Sequence, residues 1–89
     1  MRVTVRLFAQ LRDLAGASDL DCTLDGTPDA TGVNAARVED VWKALLRDHP
    51  ALASFSRAMS VAVNLDYARM DAPVRDGDEV AFLPPVSGG

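Results

Sequence analysis

The sequence has 89 residues, a net charge of −4 at neutral pH and hydrophobic residues at 48% of its positions. This length allows one domain with a modest core. The acidic charge argues against nucleic-acid binding, which requires clustered Lys and Arg. The single cysteine, Cys22, excludes an internal disulfide, and no apolar stretch resembles a membrane span or a signal peptide. We therefore expect a cytoplasmic protein that contacts no membrane.

The amino-terminal third of the chain predicts two strands separated by a short helix. Residues 2–8 alternate apolar and polar side chains, which is typical of a half-buried strand. Residues 9–15 change to a helical period, and Gly16 is suited to end that helix. Residues 19–24 alternate again, although the sequence leaves the pairing of these two strands open. Residues 25–34 are rich in glycine, proline and small polar residues, which indicates a surface loop.

The strongest helical pattern runs from Val38 to the proline at position 50. Its apolar residues recur at spacings of three and four and form a wide stripe. The helix N-cap is left open: by residue type Asn34 is the best candidate, but Arg37 occupies the position next to the stripe. His49 lies in the last turn, and no cluster of ligand-type residues accompanies it, so we predict no metal site.

The remaining elements are short. Residues 51–58 predict a helical turn, residues 60–65 a third strand and residues 67–70 another short strand. A glycine turn at residues 75–78 precedes a last strand at residues 79–83. This order predicts an α+β domain in which four or five strands pack against one main helix.

The last strand presents two faces. Alternation assigns two of its side chains to the core, Val80 and Phe82. Ala81 and Leu83 then face away from the main helix. If Phe8 and Tyr67 lie on that same face, they form with Leu83 an apolar patch of the kind that marks a docking surface.

A distinct tail follows the last strand. It consists of Pro84, Pro85, Val86, Ser87, Gly88 and Gly89. The two prolines end the strand and stiffen the backbone, while the glycines lack a Cβ and can enter a narrow channel. We therefore divide the chain into a domain at residues 1–83 and an extended tail at residues 84–89, about 20 Å long.

Several segments resemble the MoaD family, the small subunits of molybdopterin synthase. The run DGDEVAFLPPVSGG at residues 76–89 resembles the carboxyl terminus of that family. Residues 5–16 resemble its opening strand and helix, and residues 61–64 its middle strand. Residues 25–37 depart from the pattern as an insertion. The resemblance implies a ubiquitin-like β-grasp fold with a mixed sheet.

The resemblance also implies a function for the tail. An E1-like, MoeB-like activating enzyme is expected to adenylate the Gly89 carboxylate with ATP, and a thiocarboxylate then replaces the adenylate. The tail is expected to enter a MoaE-like large subunit and donate sulfur to cyclic pyranopterin monophosphate in molybdenum cofactor biosynthesis. The large subunit would provide the catalytic side chains of the heterotetramer. The chain would bind no cofactor and would not be an enzyme on its own.

Two alternatives to this function remain open from the residues. One is another β-grasp sulfur carrier, serving thiazole, tRNA thiolation or cysteine synthesis. The other is a ubiquitin-like protein modifier, which would use the same Gly-Gly ending to join another protein.

Overall fold

A computed structural model describes residues 2–24, 27–28, 34–55 and 59–84 of the chain. In chain order the elements are β1 (Arg2–Leu7), α1 (Ala9–Ala15), β2 (Asp19–Thr23), β3 (Thr27–Pro28), β4 (Asn34–Arg37), α2 (Val38–Asp48), a 3₁₀ helix (Pro50–Phe55), β5 (Ser60–Val63), β6 (Asp66–Ala68), β7 (Pro73–Val74) and β8 (Glu79–Leu83). None of the helices in these residues is long and apolar enough to cross a membrane.

The main sheet has five strands in the order β2-β1-β8-β5-β6. The first strand, β1, pairs antiparallel with β2 and parallel with β8, which makes β8 the central strand. The hairpin partners β5 and β6 complete the sheet by antiparallel pairing. The sequence left the pairing of the first two strands open. In the structure β1 and β2 pair antiparallel, and α1 connects them. The predicted α+β fold with a mixed sheet is confirmed.

The core lies between one face of this sheet and the helix α2. Its buried hydrophobic side chains are Val3, Val5, Leu7, Leu11, Leu24, Ala36, Val38, Val41, Trp42, Ala44, Leu45, Leu52, Val61, Val74, Val80 and Phe82. The rings of Trp42 and Phe82 lie 5.0 Å apart between centroids, so the central strand packs directly on the main helix. Both predicted core residues of β8 are fully buried, and the assignment of its two faces is therefore confirmed.

The structure resolves the N-cap of α2, which the sequence left open. Asn34 is not the N-cap, because it begins the strand β4, which pairs with β3 and β7 in a small second sheet. Arg37 precedes the helix instead, and its backbone N–H donates to Oδ2 of Asp40 at 2.8 Å. The backbone N–H of Val38 donates to the carbonyl of Ala72 at 2.9 Å. The Asp40 carboxylate and the backbone of Ala72 thus accept hydrogen bonds at the start of the helix.

The glycine turn before β8 fastens that strand beside β1. Gly77 adopts φ 86°, a left-handed conformation that suits glycine. Its N–H donates to the carbonyl of Arg2 at 2.7 Å, and the N–H of Arg2 donates to Oδ1 of Asp76 at 2.7 Å. The N–H of Thr4 donates to the carbonyl of Asp78 at 2.9 Å. These bonds hold the start of β8 beside the start of β1. They therefore also set the position along β1 at which β8 ends.

Candidate functional site

The face of the main sheet opposite α2, which we call the outer face, carries the candidate docking residues. Arg6 pairs with Ala81, Ala81 with Ala62, and Ala62 with Tyr67, so these residues form one row across four strands. Paired residues point to the same side of a sheet, and neighbours along a strand alternate. Since Phe82 points into the core, Ala81 and Tyr67 belong to the outer face.

Leu83 and Phe8 lie at the end of this face where the central strand stops. Leu83 pairs with Ser60, and alternation places it on the outer face. Phe8 follows β1 in an extended conformation, with φ −124° and ψ 153°. The register between β1 and β8 ends at Leu7 and Phe82, and the extended backbone of Phe8 turns its side chain to the face opposite Leu7. All four candidate partner-binding residues share one face, as the sequence required of a single patch.

Exposure differs among these four residues. Tyr67 is 86% exposed and Phe8 is 43% exposed. Leu83 is half-buried, not fully exposed as predicted, because it lies on the central strand with β1 and β5 on either side. Their role in binding stays a prediction.

The outer face divides into an apolar half and a charged half. The apolar half consists of Ala62, Tyr67, Ala81 and Leu83. On the other half Arg6 bridges the sheet: its Nε lies 2.7 Å from Oε1 of Glu79 and 3.3 Å from Oδ1 of Asp19. These groups are partly exposed to solvent, so the pairs add little to stability. Arg6, Asp19 and Glu79 lie next to the apolar half of the outer face.

The tail leaves the sheet at the edge where Phe8 also leaves it. Because β1 and β8 are parallel, both strands end at the same edge. Pro84 follows β8 directly and is the last residue described. The predicted tail residues Pro85, Val86, Ser87, Gly88 and Gly89 lie outside the described residues. The tail therefore begins at the edge of the sheet where β1 and β8 both end.

The predicted third strand ends earlier than residue 65, because Asn64 and Leu65 form the turn of the hairpin between β5 and β6. Both of its central residues have positive φ, 50° at Asn64 and 73° at Leu65, as in a type I′ turn. Asn64 is tied to the neighbouring strand: its Oδ1 accepts from the N–H of Glu79 at 3.0 Å, and its Nδ2 donates to Oδ1 of Asp78 at 3.1 Å. The hairpin is therefore held firmly against the start of β8.

A separate cleft of about 120 Å³ lies between β2 and the end of α2 and contains Cys22. Burial raises the pKa of the Cys22 thiol, the nearby Asp48 carboxylate raises it further, and Arg47 opposes both. His49 also lines the cleft. A thiol with a raised pKa remains protonated near neutral pH and is a poor nucleophile. The cleft therefore offers no reactive sulfur.

We expect Cys22 in the folded protein to react with iodoacetamide more slowly than a free cysteine at the same neutral pH. The raised pKa lowers the thiolate fraction, and the thiolate is the reacting form. Alkylation followed by intact-mass measurement checks this, with the urea-unfolded chain as the fast-reacting control. Equal rates in the folded and unfolded chains would contradict the inert assignment.

Comparison with known proteins gives consistent results over the whole chain. The sequence profile of the ThiS family matches residues 5–89. The molybdopterin synthase sulfur carrier subunit of Escherichia coli (strain K12) is 39% identical over 88 residues, covering 98% of this chain and 99% of that protein. The subunit of the same name from Chlamydomonas reinhardtii is 34% identical over 91 residues, covering 100% of both.

Among solved structures, the crystal structure of SAMP1 from Haloferax volcanii is similar to this chain. Its TM-score is 0.79 at 32% identity, and the match covers 100% of both chains. The similarity supports a ubiquitin-like β-grasp arrangement of the mixed sheet and main helix, as the sequence implied.

Proposed function

The chain belongs to the ThiS family, and we propose that it is the sulfur-carrier subunit of a molybdopterin synthase. The observation that carries this proposal is its full-length similarity to two proteins of that name. In this role the carboxyl group of Gly89 carries the sulfur as a thiocarboxylate and donates it to cyclic pyranopterin monophosphate. The chain supplies the sulfur, and the large subunit supplies the catalytic side chains.

Loading requires that the Gly89 carboxylate first become an electrophile. A carboxylate oxygen attacks the α-phosphate of ATP on a MoeB-like activating enzyme, and pyrophosphate leaves. The product is a mixed anhydride of Gly89 with AMP. A sulfur nucleophile from a donor then attacks the carbonyl carbon, and AMP leaves with the electrons of the broken C–O bond. The attacking atom is the outer sulfur of a persulfide on the donor, so the product is an acyl disulfide. A second thiol then attacks the donor's inner sulfur, breaks the S–S bond and forms a disulfide with the donor, and the thiocarboxylate is left on Gly89.

The geometry around Pro84 suits this role. The tail begins at the end of the central strand, which is anchored by the core on one side and by its glycine turn at the other end. A tail of the proposed length reaches about 20 Å, enough to enter a partner's active site. Gly88 and Gly89 present no Cβ to a narrow channel. A rigid domain with a thin tip can therefore deliver one carboxylate to a buried site.

We assign the outer face to partner binding, through Phe8, Tyr67, Ala81 and Leu83. An apolar face beside the root of the tail can align a MoaE-like large subunit with the entering tail. The activating enzyme must reach the same carboxylate at Gly89. Because one carboxyl group cannot occupy two active sites, the two partners bind this chain in turn.

Reconstitution tests this function. The thiocarboxylated chain is mixed with its large subunit and cyclic pyranopterin monophosphate, and the dithiolene product is measured by chromatography after oxidation. We expect two molecules of charged carrier to be consumed for each product. If the precursor and the charged carrier both persist while a known synthase pair reacts, the molybdopterin function is wrong.

The likeness to SAMP1 favours a second candidate function, because a protein of that type is named small archaeal modifier protein 1. As a modifier, the activated Gly89 would form an isopeptide bond with a lysine of another protein and release AMP. Trypsin digestion of cell protein would then yield lysines carrying residues 76–89 of this chain, because the last tryptic site before the tail follows Arg75. Finding such peptides would favour conjugation; sulfur transfer without them would favour the carrier function alone.

A further inference from the structure

Leu65 combines an unfavourable backbone conformation with an exposed apolar side chain. Its φ of 73° lies in the left-handed region, which is unfavourable for a leucine and natural for glycine or asparagine. Its side chain is 85% exposed, so it contributes almost nothing to the core. The preceding residue, Asn64, tolerates positive φ and gains hydrogen bonds there. Within the described residues, the exposed side chain of Leu65 gains no such hydrogen bonds to offset its unfavourable φ.

The position of Leu65 connects it to the outer face. It lies two residues before Tyr67, and these two side chains are the most exposed large hydrophobic groups in the described residues. Tyr67 ends the row that passes through Ala62 to Ala81 on the central strand. Leu65 therefore directly precedes the strand that carries Tyr67, and its turn lies beside the start of the central strand, at the opposite end of the sheet from Leu83.

The hairpin also holds Leu65 in a defined place. A two-residue turn leaves its backbone little freedom, and Asn64 bonds to both Asp78 and Glu79 at the start of the central strand. The backbone N–H of Asn64 donates to the carbonyl of Glu79 at 2.8 Å as well. A side chain presented from a fixed backbone loses less entropy when a partner covers it.

We propose that Leu65 is a specificity contact that enters an apolar pocket of the large subunit, a step that rests on the function proposed above. The pocket belongs to the same partner that covers Tyr67, because Leu65 lies two residues before Tyr67 on the same hairpin. A second copy of this chain is a poorer occupant, since each copy carries a net charge of −4 and the copies repel. The unfavourable turn is thus offset when the complex forms.

The test uses changes that move stability and affinity in opposite directions. Leu65→Gly and Leu65→Asn relieve the left-handed leucine, so we expect the melting temperature to rise by about 4 °C. Both remove the side chain that the pocket would bury, so we expect the affinity for the large subunit to fall by about 10- to 100-fold. Calorimetric titration measures the affinity, and a thermal melt of the chain alone measures the stability.

Two controls accompany these variants. Leu65→Met keeps a flexible apolar side chain at the same backbone position, and we expect its affinity to stay within about threefold of the unaltered chain. Lys43→Ala changes an exposed residue on α2, behind the sheet, and should leave affinity unchanged.

Three results would overturn the inference. Unchanged affinity of Leu65→Gly and Leu65→Asn, while Leu83→Asp loses binding, contradicts the role of Leu65 and leaves the proposed function standing. A lower melting temperature in both variants shows that the leucine stabilises the isolated domain. Failure of the unaltered chain to bind the large subunit contradicts both the inference and the proposed function.

Discussion

Removal of Gly89 is expected to abolish sulfur transfer while leaving the domain folded. The shortened chain ends in a carboxylate about 3.3 Å short of the position that the activating enzyme and the large subunit need. Misplacement of a reacting group by about 1 Å already costs about 100-fold in rate, so a shift of one residue should reduce transfer to background. Single-turnover transfer from the chain to the pyranopterin precursor measures the loss.

Two controls separate chemistry from folding in this experiment. Every buried residue of the described core precedes the tail, so the melting temperature of the shortened chain should stay within about 2 °C of the original. Ser87→Ala changes the tail without changing its length and should retain most of the transfer. Normal transfer by the chain that lacks Gly89 would refute the proposed mechanism.

The second large effect is expected at Leu83. Leu83→Asp removes an apolar contact from the outer face and places a charge at the same position, next to the root of the tail. Loss of the contact and desolvation of the new carboxylate together should weaken binding to the large subunit by about 100-fold or more. The affinity of the purified pair, measured by calorimetric titration, gives the result.

The neighbouring residue provides the matched control for Leu83. Phe82 points into the core and packs against Trp42, so Phe82→Ala should destabilise the domain by about 3–5 kcal/mol. Leu83 is half-buried on the opposite face, so Leu83→Asp should lower the melting temperature far less. A large melting shift with unchanged affinity in Leu83→Asp would contradict the docking role of the outer face.

The sequence predicted those elements whose signal is local. The alternation in residues 2–8 and the apolar stripe of α2 each arise because one side of a single segment faces the core. Such a pattern can be recognised within that segment alone. The parallel pairing of β1 with β8 joins residues more than 70 positions apart, and no local pattern specifies such a register. The sequence left the N-cap of α2 open between Asn34 and Arg37 for a related reason, and the structure has Arg37 there. Its donors are satisfied by the Asp40 carboxylate and by the backbone of a segment distant in sequence.

The candidate site was predictable in part. Phe8, Tyr67 and Leu83 could be proposed from alternation, but only the strand order shows that they share a face. The conformation of Leu65 could not be read from its residue type, because leucine disfavours positive φ. The two-residue connection and the hydrogen bonds of Asn64 impose it. The role of Gly89 came from resemblance to a family and stays a proposal.

The most direct test of this account is where sulfur appears on the chain. The chain is incubated with its activating enzyme, ATP and a sulfur donor, and digested with trypsin. Cleavage after Arg75 releases residues 76–89 as one peptide for mass spectrometry. We predict that this peptide gains the mass difference between sulfur and oxygen at Gly89, and that Cys22→Ser gains it equally. An unchanged peptide under conditions that charge a known carrier, or sulfur found on Cys22 instead, would contradict the account.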